Sequence, residues 1–207
     1  MNTYIYEKSF LAGMLIGLGV LVNISVGNYY IGAALFALGL LAVVEFQAYL
    51  YTGKIGYATK HKFSFCEYVI MLFSNCLGVM ATVACGLIAR PELMSMITSG
   101  SIIKYGRHPL ELFASSILCG MCVYFAVAGK PKMITLMAVM VFILCGFEHC
   151  IADFPFLLLG DGISFLWLGK WILIVVGNSI GAIISNILQQ PYAVQIDTNE
   201  EGEEHEE

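Results

Sequence analysis

Cys145-Gly-Phe-Glu148-His149-Cys150-Ile-Ala-Asp153-Phe-Pro155 places three ionisable side chains and a proline inside an otherwise apolar run. Only fifteen uncharged residues separate Lys132 from Glu148, and the apolar sequence resumes as Phe156-Leu-Leu-Leu-Gly160. A helix needs about 20 apolar residues to cross a bilayer, so the stretch before Glu148 is too short, and the whole reads as a discontinuous helix. A second segment has the same character. It runs uncharged to Val44, meets Glu45, and continues Phe46-Gln-Ala-Tyr-Leu-Tyr-Thr-Gly53 before Lys54.

Around these two segments the chain is apolar throughout. It has 207 residues, 59% of them hydrophobic and 12% charged, against roughly 25% charged in soluble domains. A water-soluble globule cannot cover its surface with so little charge, so the chain is expected to be an all-α integral membrane protein. Seven of its fifteen acids lie between Asp197 and Glu207. Residues 191–207 therefore read as an acidic, disordered cytoplasmic tail behind a transmembrane domain of residues 1–190. The net charge of −5 and the lack of a basic stripe argue against nucleic acid as a partner. The seven cysteines sit in or beside apolar stretches, as packing residues do. No small-residue cleavage site follows the first apolar run, which reads as a retained span.

The spans are expected at about 9–26, 67–89, 109–128 and 164–188, with two more beginning near 29 and near 133. The second and fifth are the discontinuous ones, which is where an inverted repeat places its broken helices. Six transmembrane helices as an inverted 3+3 repeat follow. With the N-terminus inside, Lys8, Lys54, Lys60, Lys62, Lys130 and Lys132 fall on the cytoplasmic side and Arg90, Lys104, Arg107 and Lys170 outside. That bias puts both termini in the cytoplasm of a multi-pass inner or plasma membrane protein. Gly13 with Gly17, and Gly177 with Gly181, have the spacing that lets membrane helices approach closely.

His149 is the main functional candidate, because a histidine at membrane depth is rare and needs partners. Glu148 precedes it, Asp153 follows one turn on, and Pro155 breaks the helix beyond. Such a break frees backbone groups, which is tolerated at this depth only beside protein or a water-filled cavity. At the other break, Thr52-Gly53 offers a hydroxyl and exposed amides, and Glu45 is placed to pair with freed backbone donors. Glu67 reads as interfacial. Glu148, His149 and Asp153 do not by themselves make a converging ligand set, so neither a metal nor a cofactor is expected.

Several of these stretches resemble one known family. Cys145-Gly-Phe-Glu-His-Cys-Ile-Ala-Asp153 is similar to the span-5 signature of the formate/nitrite transporter family, Ser-Gly-Phe-Glu-His-Ser-Ile-Ala-Asn. Leu50-Tyr-Thr-Gly53 resembles its span-2 loop. Ser74-Asn-Cys-Leu-Gly78 and Gly177-Asn-Ser-Ile-Gly181 resemble its Asn-x-x-Gly motifs in spans 3 and 6. Ile117 to Val127 resembles its span 4. The order and spacing agree over about residues 8–188.

The resemblance implies an aquaporin-like fold, a homopentamer in the lipid bilayer with one pore per protomer, and permeation of small monovalent anions or their acids. It implies a central site of His149 and Thr52, with an inner constriction of Phe36, Leu40 and Val123. The outer constriction would be Leu50, Tyr51 and Phe142, and Lys104 would draw anions to the mouth. Three positions depart from the family pattern: Gly120 and Asp153 each stand where asparagine is usual, and Gln47 opens the altered Gln-Ala-Tyr-Leu-Tyr-Thr52 loop.

A bare anion crossing hydrophobic rings loses its hydration shell at large cost, and protonation to a neutral acid removes most of that cost. Histidine suits such a step because its charge can change near neutral pH. The expectation is therefore a channel or facilitator for formate, nitrite, hydrosulfide or short monocarboxylates, with His149 handling protonation. The alternative is a proton- or metal-coupled secondary transporter using Glu45, Glu148 and Asp153. An enzyme is not expected, since Glu148 and His149 have no nucleophile partner.

Overall fold

The computed structural model describes residues 3–160 and 165–203, with side chains from 4 to 160 and from 165 to 189. All regular elements among them are helical: α1 (Thr3–Ser25), α2 (Tyr29–Glu45), α3 (Tyr51–Lys54), a 3-10 turn (Ile55–Lys60), α4 (Phe65–Ala89), α5 (Leu93–Tyr105), α6 (Pro109–Ala128), α7 (Met133–Leu144), α8 (Phe154–Leu159) and α9 (Phe165–Glu203). Four are long and apolar enough to cross a membrane: Tyr4–Ser25, Phe65–Ala89, Pro109–Ala128 and Phe165–Gln189. The backbone of α9 continues as helix to Glu203, through most of the stretch expected as a disordered tail, while the side chains beyond Gln189 and residues 204–207 lie outside the described residues.

Two apolar helices fall short. At about 1.5 Å per residue, the 17 residues of α2 and the 12 of α7 cover less than the roughly 30 Å of a hydrocarbon core. Both end in the same way. Gln47 (φ 49°) and Gly146 (φ 64°) adopt the left-handed conformation. Ala48 N–H then reaches back to Val43 O and Gln47 N–H to Val44 O, while Phe147 N–H reaches Phe142 O and Gly146 N–H reaches Ile143 O. This is the six-to-one and five-to-two pairing of a Schellman stop. It satisfies the last carbonyls of each helix and turns the chain inward as extended backbone. Glycine fits this position at Gly146 without cost, and Gln47 adopts it with a side chain.

α1 packs on α4 and α2, α6 packs on α9 and α7, and α2 meets α7. The closest crossings are made by glycine. A Cβ on Gly13 would run into the Asn75 carbonyl, and one on Gly78 into the Phe10 carbonyl. Gly120 and Gly181 stand in the same relation to the carbonyls of Asn178 and Ile117. Gly120 is therefore a helix-crossing position with no room for a side chain. Of the spacings noted in the sequence, Gly17 packs against Thr82 and Gly177 against Ser116. Glu67 closes a capping box with Ser64 at the start of α4, which explains its place at a helix end.

Candidate functional site

The extended backbone after each Schellman stop must find hydrogen bonds away from water, and one asparagine supplies them in each case. Asn75 on α4 donates through Nδ2 to Tyr49 O (2.9 Å) and Ser9 O (2.6 Å), and its Oδ1 accepts from Tyr51 N–H (2.8 Å). Asn178 on α9 donates to Glu148 O (2.9 Å) and Ser116 O (2.8 Å), and accepts from Cys150 N–H (2.9 Å). Each amide thus fastens a turn to two helices. The residues between the clamped groups, Leu50 and His149, are buried at the centre of the molecule.

His149 and Thr52 meet there. Thr52 Oγ1 lies 3.0 Å from His149 Nε2, and the Ala152 N–H donates to His149 Nδ1 at 3.0 Å. Nδ1 is therefore an acceptor, so in a neutral ring the proton must sit on Nε2. Nε2–H donates to Thr52 Oγ1, which leaves the Thr52 hydroxyl proton directed elsewhere. A second proton could enter the ring only at Nδ1, at the loss of the Ala152 contact.

Beside this pair lies a charge cluster whose carboxylates are buried and whose cations are partly exposed. Lys104 Nζ is 2.8 Å from both Glu148 Oε2 and Asp153 Oδ1, and Arg107 Nη1 is 2.8 Å from Glu148 Oε1. Asp153 Oδ2 accepts from His149 N–H at 2.6 Å, so the same carboxylate fixes the histidine backbone and pairs with Lys104. Arg107 also donates to Gly146 O at 3.0 Å, which ties the cluster to the stop of α7. Two cations face two carboxylates in this cluster, and their charges cancel.

A cavity of about 170 Å³ reaches His149 from the end of the molecule where Tyr29 and Asn23 lie. Its charged lining is Lys104 and Asp153, and Phe36 and Phe142 narrow it. These two rings meet edge to face at 5.9 Å, and Phe142 stacks on His149 at 5.8 Å. A second cavity of about 360 Å³ opens at the other end, between Leu50, Gly53, Gln47, Lys54 and Lys62.

The constriction residues are thus grouped differently from the expectation. Phe36 stands with Phe142 on the Lys104 side, because it precedes Leu40 by one helical turn of α2. Leu50 faces the opposite cavity, and Leu40 and Val123 are buried in the core. Tyr51 hydrogen-bonds Ser179 Oγ at 2.9 Å. Glu45 does not cap freed backbone donors; it is partly exposed and pairs with Lys132 at 2.5 Å. The Gly53 amide is likewise used within its own turn, on Leu50 O. Among the described residues no group of three His, Cys, Asp or Glu could hold a metal ion.

Asn75, Asn178 and Arg107 were not singled out as site residues from the sequence. The signal for the asparagines was the repeated Asn-x-x-Gly, whose glycines mark the two helix crossings and whose asparagines clamp the two turns. Arg107 carried no signal, since it lies in a loop before Pro109.

The model of the formate/nitrite transporter family matches residues 3–190. The chain belongs to this family. Its fold is similar to that of an FNT family ion channel (TM-score 0.75, 20% identity, covering 92% of this chain and 90% of that one). It is also similar to a pentameric formate channel with formate bound (TM-score 0.69, 20% identity, 96% and 99% covered). An aquaglyceroporin from Plasmodium falciparum shares the architecture more distantly (TM-score 0.50, 16% identity, 89% and 93% covered). Curated protein sequences give no match. The chain is thus a membrane transport protein of the formate/nitrite transporter family with an aquaporin-like helical fold, and not an enzyme.

Proposed function

We propose that each protomer conducts small monovalent weak-acid anions, formate first among them and nitrite, hydrosulfide or short monocarboxylates as further candidates, through a pore centred on His149 and Thr52. The 3.0 Å contact between those side chains, reached by a cavity from the Lys104 end, carries this reading. The family match and the formate bound in a similar channel support it. His149 serves the protonation step as a neutral donor. By holding Thr52 Oγ1 it frees the threonine proton for the permeant, while the Phe36–Phe142 pair favours the uncharged acid over its anion.

The pore belongs to an inverted 3+3 repeat, with α2 and α3 forming one broken span and α7 and α8 the other. The matched Schellman stops and the matched asparagine clamps support that arrangement. Five such protomers assemble in a cell membrane with both termini cytoplasmic and an acidic tail from about residue 191. Coupled transport through carboxylates is less well supported, because Glu148 and Asp153 are already held by Lys104 and Arg107.

The test is flux into proteoliposomes for formate, nitrite, hydrosulfide and lactate at two pH values. Flux of at least one of these should rise toward acid pH, and His149→Ala should lower it about tenfold or more, the cost of one or two central hydrogen bonds. Flux that His149→Ala leaves untouched would remove the histidine from the mechanism.

A further inference from the structure

Behind α3 lies a cavity that the pore does not use. It holds about 430 Å³ and is walled by Tyr51, Ile55, Phe65, Val69, Leu72 and Val175. Ligand sites in proteins are typically about 300–1,000 Å³. Successive residues of this short segment face different spaces. Leu50 and Gly53 line the pore cavity, Thr52 meets His149, and Tyr51 and Ile55 back onto the side cavity. At its inner end Tyr51 is tied to Ser179 Oγ on α9 at 2.9 Å.

The cavity runs along α4. Phe65, which opens that helix, is 82% exposed, and Leu72 is buried. The seven residues between them rise about 10 Å, most of the roughly 15 Å of one leaflet. His61 lines the Phe65 end, where its left-handed backbone (φ 49°) turns the chain toward α4. Lys60 and Lys62 flank it, and all three side chains are exposed. Among the described residues none of the three is in an ion pair. Glu67, the nearest acid in the chain, is folded back on Ser64 N–H at 2.7 Å. Phe63 and Tyr68 meet edge to face at this level, 5.7 Å apart, and aromatic residues favour the membrane interface. The slot is thus apolar along its length and basic where it reaches the membrane surface.

That distribution matches an anionic phospholipid. A neutral headgroup would gain little from the lysines, and a free anion would gain nothing from the apolar length. Basic pockets between membrane helices bind anionic headgroups in this way. We infer that the cavity between α4 and α9 binds one anionic phospholipid, with an acyl chain along Phe65, Val69 and Leu72 and its phosphate at Lys60, His61 and Lys62. The bound chain fills the space behind Tyr51 and Ile55, and so braces the segment that carries Thr52. Phe73 and Leu77, one and two turns beyond Val69, are exposed. A protomer packed on them would close the slot sideways and leave its basic end open.

The experiment uses the full chain, purified in detergent and stripped of lipid. It is titrated with phosphatidylglycerol and with phosphatidylcholine of the same acyl chains. Native mass spectrometry counts the bound lipid, and thermal unfolding is followed alongside. The variants are Lys60→Gln/Lys62→Gln, Val69→Phe to fill the slot, and Lys130→Gln/Lys132→Gln as an equal loss of charge at the same end. Wild type should bind one phosphatidylglycerol per protomer, about tenfold or more tighter than phosphatidylcholine, as expected for two lysines at a membrane surface. Lys60→Gln/Lys62→Gln should lose that preference, Val69→Phe should weaken both lipids, and the charge control should behave as wild type. At about a hundred times its dissociation constant, phosphatidylglycerol should raise the wild-type unfolding midpoint by about 5–10 °C, and that of Val69→Phe by much less.

Equal affinity of wild type for the two lipids overturns the headgroup site. Wild type that binds neither would mean that a neighbouring protomer closes the cavity, which overturns it as well. Unchanged binding in Val69→Phe places the lipid elsewhere, and equal loss of preference in both lysine pairs reduces the effect to overall charge. Should Val69→Phe fail to fold, the exposed lysine pair decides alone. None of these readouts is flux, so their failure leaves the channel reading standing, and an inactive channel leaves the lipid site standing.

Discussion

At the scale of single residues, the centre of the molecule is a chain of fixed hydrogen bonds in which each partner determines the next. The Ala152 amide fixes which nitrogen of His149 carries the proton, and that nitrogen then makes Thr52 an acceptor. Thr52→Val keeps the shape and removes the hydroxyl. It leaves Nε2–H unsatisfied in a buried site, which typically costs about 1–3 kcal/mol, so formate flux should fall about tenfold while Thr52→Ser stays near wild type. Initial uptake rates of the two variants decide it, and loss in Thr52→Ser with Thr52→Val intact would show that the methyl group is what matters. Asp153 separates two functions. Asp153→Asn keeps an acceptor for His149 N–H but strips one charge from Lys104, so the fold should survive and flux should become more sensitive to salt. Asp153→Ala removes both, leaving a buried amide and a half-paired lysine, and should lower stability by about 3 kcal/mol or more. Thermal unfolding in detergent distinguishes the two.

At the scale of elements, what was legible in the sequence was whatever depends on composition along the chain. The uncharged runs gave the spans, and the short runs before Glu45 and Glu148 gave the two places where a helix could not continue. The positions of the breaks were less legible. The helices stop at Glu45 and Leu144 because the backbone reverses at Gln47 and Gly146, and only the glycine announces such a stop. Pairings across the bundle were not legible at all. Nothing in the sequence says that Arg107 meets Glu148, or that Phe36 meets Phe142 rather than joining Leu40, because these depend on how α2 and α7 face each other. Gly120 shows the same limit, since its meaning comes from the Asn178 carbonyl on α9. Gly120→Ala should therefore cost about 1–3 kcal/mol by forcing α6 from α9, without a specific effect on selectivity. Asn178→Asp should cost about as much, because it keeps the acceptor for Cys150 N–H and loses the donor that holds Glu148 O and Ser116 O. Thermal unfolding of each variant checks both, and an unshifted Asn178→Asp transition would mean that the clamp is dispensable.

At the scale of the whole molecule, the question is where the pore runs relative to the assembly. Both pore cavities, the His149–Thr52 pair and the charge cluster are built from one chain, with α2, α3, α5, α7 and α8 and the turns beside them contributing to the site and α1, α4, α6 and α9 supporting it. A proposed pentamer is then five independent pores, and its role is to cover apolar surface such as Phe73, Leu77, Ile172 and Val176, which are exposed in the single chain. Co-assembly makes this testable. When wild type is mixed with His149→Ala in varying ratio and reconstituted, formate flux should fall in direct proportion to the mutant fraction, since every wild-type protomer keeps its own conduit. A pore shared along a fivefold axis would instead lose flux far more steeply, roughly as the fifth power of the wild-type fraction if each subunit had to contribute.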